Sequence, residues 1–82
     1  MLMIVWDEPK RQTNLAKHGL DFADLDERFF LASVVVPAKG GRHMAIGHLA
    51  DGTITVVFAA LGVEGVSVIS MRPASRKERT LL

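Results

Sequence analysis

The chain has no cysteine, no large excess of charge of either sign and no apolar run long enough to span a membrane. Without cysteine, disulfide bridges and thiolate metal sites are excluded. The first five residues carry no charged leader, which indicates a first strand and not a signal peptide. We therefore expect a cytoplasmic protein without membrane contact, whose 82 residues form a single domain spanning residues 1–82.

Common catalytic signatures are missing as well. The sequence has no phosphate-binding glycine loop, no HExxH pair and no Ser/His/Asp spacing. His43 and His48 lie five residues apart in a predicted strand and so point to opposite faces, and adding His18 does not make a convincing metal site. We expect neither a metal ion nor a cofactor.

Charge is unevenly distributed although the formal net charge is only +1. Residues 21–28 are mainly acidic, whereas the last eleven residues and the segment 10–17 hold most of the basic side chains. Clustered positive charge in a nearly neutral protein favours a surface that faces a polyanion, with an ordinary solvated face as the alternative.

A polar helix is predicted for residues 8–18. Asp7 is the expected N-cap, Pro9 lies in the first turn, and Gly19 is the expected C-terminal stop. At about 100° per residue, one stripe of this helix holds Asp7, Lys10, Asn14, Lys17 and His18. So short and polar a helix needs tertiary contacts or a ligand to hold it. The stripe is therefore either a hydrogen-bonded structural network or a site.

The remaining chain predicts a second helix and several strands. Residues 22–32 form the helix, with an apolar face of Phe22, Leu25, Phe29 and Ala32. Residues 2–6 and 34–36 are short strands. A hairpin joins residues 42–49 to 53–60 through Asp51-Gly52.

A last strand runs from Val66 to Arg72, and strict alternation places Val66, Val68, Ser70 and Arg72 on one face. Ser75 and Glu78 have capping-box spacing. The order predicts an α+β domain with two N-terminal helices packed on a mainly antiparallel four- to five-stranded sheet, followed by a short C-terminal helical stub.

The candidate site is a set of cationic and hydrogen-bonding residues: Lys10, Lys17, His18, Arg42, Ser70, Arg72 and Arg79. Such a set suits phosphodiester cleavage without a metal, because RNA supplies its own nucleophile, the 2′-hydroxyl. The protein then has to orient this hydroxyl, supply a general base and a general acid, and neutralise the charge that builds on the phosphorane oxygens. Several of the polar and aromatic residues near this set, and some of its members, also have a purely structural interpretation. His18 would simply end a helix, Asn14 would bond nearby backbone, Trp6 would be core, and Arg72 would pair with Glu78.

The order and spacing of several motifs resemble the BrnT family of toxins. They are Trp6-Asp7-x-x-Lys10-x-x-x-Asn14-x-x-Lys17-His18-Gly19-x-x-Phe22, Arg42 to Ile46-Gly47, Val56-Val57-Phe58, Val68-Ile69-Ser70-Met71-Arg72-x-Ala74, and Glu78-Arg79. Together they cover almost the whole chain.

This resemblance implies a RelE-like fold and a metal-independent ribonuclease that inhibits translation, paired with a BrnA-like ribbon-helix-helix antitoxin. DNA would be contacted only through that antitoxin. We assign Arg72, Arg79, His18 and Lys17 as catalytic, and Lys10, Arg42 and Ser70 as RNA-binding.

The chain departs from the usual family residues at Gly41, Leu61 or Gly62, Ser67 and Leu82, where the family more often has charged or aromatic side chains. Two alternatives to an active ribonuclease follow. One is a weakened or inactive module that still binds its antitoxin, and the other is a toxin of the same fold with a target other than RNA.

Overall fold

The computed structural model describes residues 1–82 and contains one five-stranded sheet with three helices. The strands are β1 (Met3–Trp6), β2 (Val34–Pro37), β3 (His43–Leu49), β4 (Gly52–Leu61) and β5 (Gly65–Pro73). The helices are α1 (Glu8–His18), α2 (Glu27–Ala32) and α3 (Arg76–Arg79), and short 3₁₀ turns occur at Phe22–Asp24 and Lys39–Gly41. The predicted α+β class is confirmed.

The sheet is mixed, which corrects the prediction of a mainly antiparallel one. Its strand order is β1-β5-β4-β3-β2, and β1 runs parallel to β5 while the other three neighbouring pairs are antiparallel. A parallel pair needs a long crossover. Here the connection from β1 to β5 contains all the helices and strands from α1 to β4. No pattern of neighbouring residues could therefore predict that β1 pairs with β5.

The core lies where three apolar side chains of the segment after α1 meet the sheet. Phe22, Leu25 and Phe29 are buried against residues of β3, β4 and β5. α1 packs against β5 and α2 against β3. Gly47 allows this close approach, because a Cβ there would lie 3.1 Å from the Phe29 ring.

The predicted helix over residues 22–32 is divided in two. Leu25 is extended, with φ −80° and ψ 140°, and Asp26 then caps α2 by accepting from the N–H of Phe29. Two aspartate caps, Asp21 and Asp26, therefore compete with one continuous helix. The apolar face was predicted correctly except for Ala32, which is exposed.

Strict alternation in the last strand is also wrong, because β5 contains a bulge. Opposite β4, Val57 pairs with Ser70 whereas Phe58 pairs with Val68, so Ile69 is an extra residue. Met71 consequently takes the core face beside Val68, and Arg72 lies on the other face.

The β3–β4 turn differs from its prediction by one position. Leu49 pairs with Gly52, so the two turn residues are Ala50 and Asp51 instead of Asp51 and Gly52. Ala50 takes the left-handed backbone conformation that such a turn requires, with φ 51°.

Candidate active site

The ends of α1 are set by the residues that the sequence indicated. The Asp7 carboxylate accepts from the N–H of Lys10 at 3.1 Å, and Gly19, with φ 69°, donates its N–H to the carbonyl of Leu15 at 2.8 Å. These caps fix which turn holds Lys17 and His18. Both predicted helix boundaries are confirmed.

Asn14 attaches this polar helix to the sheet. β1 pairs with β5 only as far as Val68, and beyond it the buried Asn14 side chain accepts from the N–H of Met71 at 3.1 Å. Its amide nitrogen donates to the carbonyl of Leu20 at 3.2 Å. Tertiary contacts therefore hold α1 in place, and two members of the predicted stripe, the N-cap Asp7 and the buried Asn14, are structural.

A second network, around Arg11, ties α1 to the following turn. The Arg11 guanidinium lies 2.7 Å from Glu8 and 3.0 Å from Asp21, and the indole N–H of Trp6 also donates to Glu8. Hydrogen bonds from Arg11 and Trp6 lower the pKa of Glu8 to about 2. A backbone bond from Ala23, with the bond from Arg11, lowers the pKa of Asp21. Both carboxylates therefore stay ionised and paired.

Between α1 and β5 lies a cleft of about 510 Å³. It is lined by Pro9, Lys10, Thr13, Asn14, Lys17, His18, Ile69, Ser70 and Arg72. This set includes five of the seven residues that the sequence indicated as a site: Lys10, Lys17, His18, Ser70 and Arg72. The hydrogen bond from Met71 to Asn14 holds the two walls together.

The other two predicted residues lie elsewhere. Arg42 is exposed immediately before β3, and Arg79 is exposed at the end of α3; neither lines the cleft. Sequence reasoning missed Thr13 and Ile69. Thr13 follows Lys10 by three residues, so helical spacing could have found it. Ile69 reaches the cleft at the bulge, for which the sequence gives no signal.

Arg72 lines the cleft and also forms an ion pair with Glu78. This ion pair is the structural role that the sequence left open as the alternative to a catalytic one. Its Nη1 and Nη2 atoms lie 2.7 and 2.8 Å from the two carboxylate oxygens of Glu78. The hydrogen bonds from Arg72 are the largest cause that lowers the pKa of Glu78 to about 2, and the same pairing raises the pKa of Arg72. The guanidinium is thus permanently charged and fixed in a fork.

No carboxylate lines the cleft, and neither Lys10 nor Lys17 takes part in an ion pair. Their ammonium groups are therefore free to neutralise an anion. Ser70 adds a hydroxyl, and His18 adds an imidazole ring with two nitrogen atoms that can donate or accept hydrogen bonds. The arrangement can bind a phosphate, stabilise developing negative charge and transfer protons.

The acidic and histidine side chains form no group of three or more that could hold a metal ion. None of the three helices has the length and apolar character needed to cross a membrane.

The chain is thus a small α+β protein with a cleft lined by cationic side chains and without a carboxylate in its lining. The family model described as "Ribonuclease toxin, BrnT, of type II toxin-antitoxin system" matches residues 6–78. The chain therefore belongs to the BrnT family of ribonuclease toxins, and the predicted ribonuclease toxin of a toxin–antitoxin pair is confirmed at this level.

A solved structure agrees with this assignment. The crystal structure of the Brucella abortus ribonuclease toxin BrnT is 57% identical in sequence, with a TM-score of 0.85. The alignment covers 93% of this chain and 100% of that one. The comparison with curated proteins gave no match.

Proposed function

We propose that this ribonuclease toxin binds and cleaves RNA in the cleft between α1 and β5. The observation that supports the site is the convergence of Lys10, Lys17, His18, Ser70 and Arg72 on one cavity without a carboxylate in its lining. Single-stranded RNA presents phosphates to such a surface and gains affinity from each one that is neutralised.

The proposed reaction uses the 2′-hydroxyl of the RNA as nucleophile and needs no metal. The 2′-oxygen attacks the adjacent phosphorus, the bond to the 5′-oxygen breaks, and a 2′,3′-cyclic phosphate and a 5′-hydroxyl result. His18 and Lys17 are the candidates for accepting the first proton and supplying the second, and a positioned acid or base contributes about 10²–10⁴-fold. Arg72 stabilises charge on the phosphorane oxygens.

The remaining predicted residues have supporting parts in this proposal. Lys10 and Ser70 line the cleft and hold the RNA backbone there. Arg42 and Arg79 lie outside the cleft, so we assign them to phosphates further along the strand and remove Arg79 from the catalytic set.

The family departures support an intact cleft. Gly41, Leu61, Ser67 and Leu82 all lie outside its lining. The residues on which a weakened or inactive toxin was considered are therefore not those that would perform the reaction.

The experiment is cleavage of a single-stranded RNA by the purified protein in EDTA, beside the same strand with 2′-deoxy sugars throughout. We expect the RNA to be cut and the deoxy strand to survive. Loss of cleavage in EDTA that Mg²⁺ restores would contradict a metal-independent reaction. Cutting of both strands would contradict the 2′-hydroxyl nucleophile.

We also propose that the antitoxin is a BrnA-like ribbon-helix-helix protein and that the toxin reaches DNA only through it. For the toxin itself we propose a RelE-like fold and a cytoplasmic location. A second, mainly apolar cleft of about 320 Å³ supports a protein contact: Leu31, Val35 and Val63 are exposed around it, and Glu27 and Glu64 lie at it. It shares no residue with the RNA cleft. Apolar and basic side chains of the antitoxin fit this surface.

The test is co-purification with a ribbon-helix-helix protein encoded beside the toxin. Leu31→Glu should reduce the complex while leaving RNA cleavage unchanged. Undiminished co-purification would place the antitoxin on another surface.

A further inference from the structure

Glu78 belongs first to the capping box of α3. Its backbone N–H donates to the hydroxyl of Ser75 at 3.1 Å, and its carboxylate accepts from the N–H of Ser75 at 2.8 Å. A capping box requires only an acceptor at this position, and glutamine serves as well as glutamate. The cap therefore does not explain why the side chain is a charged carboxylate.

The other hydrogen bonds of Glu78 connect it to Arg72, which lines the cleft, and to Thr55. Both carboxylate oxygens accept from Arg72, and Oε1 also accepts from the Thr55 hydroxyl at 3.0 Å. Thr55 is fully buried and lies directly opposite Arg72 in the β4–β5 pairing. The Glu78 side chain is only 13% exposed, compared with 35% for Arg72. The guanidinium is thus held by a carboxylate that is less exposed than Arg72 itself, and Arg72 still lines the cleft.

We propose that Glu78 is a positioning residue for RNA cleavage: from the cap of α3 it holds the Arg72 guanidinium in the orientation that meets the scissile phosphate. The inference rests on the proposed cleavage site. An arginine without an ion-pair partner samples many rotamers and would lose that side-chain entropy on reaching the transition state. An arginine that is already paired is oriented before the reaction begins. The ion pair and the catalytic role of Arg72 are then two parts of one arrangement.

Glu78→Gln separates the two functions of Glu78, because glutamine keeps the cap but cannot form the charged two-oxygen fork. We expect kcat for RNA cleavage to fall about 10–100-fold while KM changes less than about threefold. Ser75→Ala is the matched control: it weakens the cap, so Tm should fall, but it leaves the Arg72–Glu78 pair, so kcat should stay within about threefold. Asp24→Asn removes an exposed carboxylate and should change neither Tm nor kcat.

Arg72→Ala, measured in the same series, distinguishes the possible failures. If Arg72→Ala loses cleavage but folded Glu78→Gln cuts like the wild type, the positioning role is overturned and the proposed site stands. If folded Arg72→Ala cuts normally, the proposed site itself fails. If Glu78→Gln does not fold, Glu78→Asp decides, since it keeps the charge on a shorter chain. Its kcat should lie below that of the wild type, and an unchanged kcat would overturn the inference.

Discussion

Asn14 is the one buried side chain of α1, and it serves two backbone groups that are far apart in the sequence. The expectation that it bonds nearby backbone is met by the carbonyl of Leu20, but not by the N–H of Met71, which is 57 residues away. The spacing of polar residues located Asn14 correctly on the cleft side of the helix. It could not distinguish this structural amide from the free ammonium groups of Lys10 and Lys17.

Asn14→Ala should destabilise the protein by about 1–3 kcal/mol, because it leaves the buried N–H of Met71 without a partner. Urea denaturation measures this change. Gln12→Ala, at an exposed position of the same helix, should stay within about 0.5 kcal/mol of the wild type. Equal stability of the two variants would show that Asn14 does not anchor α1 to β5.

Among the helices and strands, those defined by local chemistry were predicted most accurately. α1 begins and ends as Asp7 and Gly19 indicated, and the capping box of Ser75 and Glu78 forms as expected. Each of these signals acts within a few residues. The sequence could therefore place Lys17 and His18 on the last turn of α1 before any tertiary contact was known.

Elements that depend on distant partners or on one extra residue were predicted less well. The bulge at Ile69 reverses the alternation of everything after it, so Met71 becomes core and Arg72 does not share the face of Val68. Period-2 reasoning has no means to detect such an insertion. The parallel placement of β1 beside β5 likewise depends on contacts across nearly the whole chain.

Gly19→Ala should weaken α1 at the end that holds Lys17 and His18. The backbone there has φ 69°, which costs an alanine about 1–2 kcal/mol, although no atom lies within 4 Å of the new Cβ. We expect lower stability to urea and slower RNA cleavage, since the last turn would fray. Gly52→Ala is the control, because Gly52 has no positive φ and its nearest atom is 3.9 Å away. Indistinguishable stabilities would contradict the capping role of Gly19.

For the whole molecule, a net charge of +1 conceals a strong separation of charge. The carboxylates of Glu8, Asp21 and Glu78 are held by Arg11 and Arg72. Lys10 and Lys17 are left in the cleft without partners. Uneven composition predicted a surface that faces a polyanion. The fold adds that the polar stripe of α1 and the end of β5 form the two walls of one cleft.

Cleavage of single-stranded RNA in EDTA by Arg72→Ala, compared with Arg76→Ala, tests directly whether this cleft is the ribonuclease site. Arg76 is exposed on α3 and does not line the cleft, so Arg76→Ala removes the same positive charge at a position outside it. With both variants folded, Arg72→Ala should cut about 10²–10³-fold more slowly than the wild type, since an aimed cation acts mainly in the transition state. Its affinity for the 2′-deoxy strand should show a salt slope reduced by less than about one unit, and Arg76→Ala should cut nearly normally. A folded Arg72→Ala protein that cuts at the wild-type rate would contradict the assignment of the site.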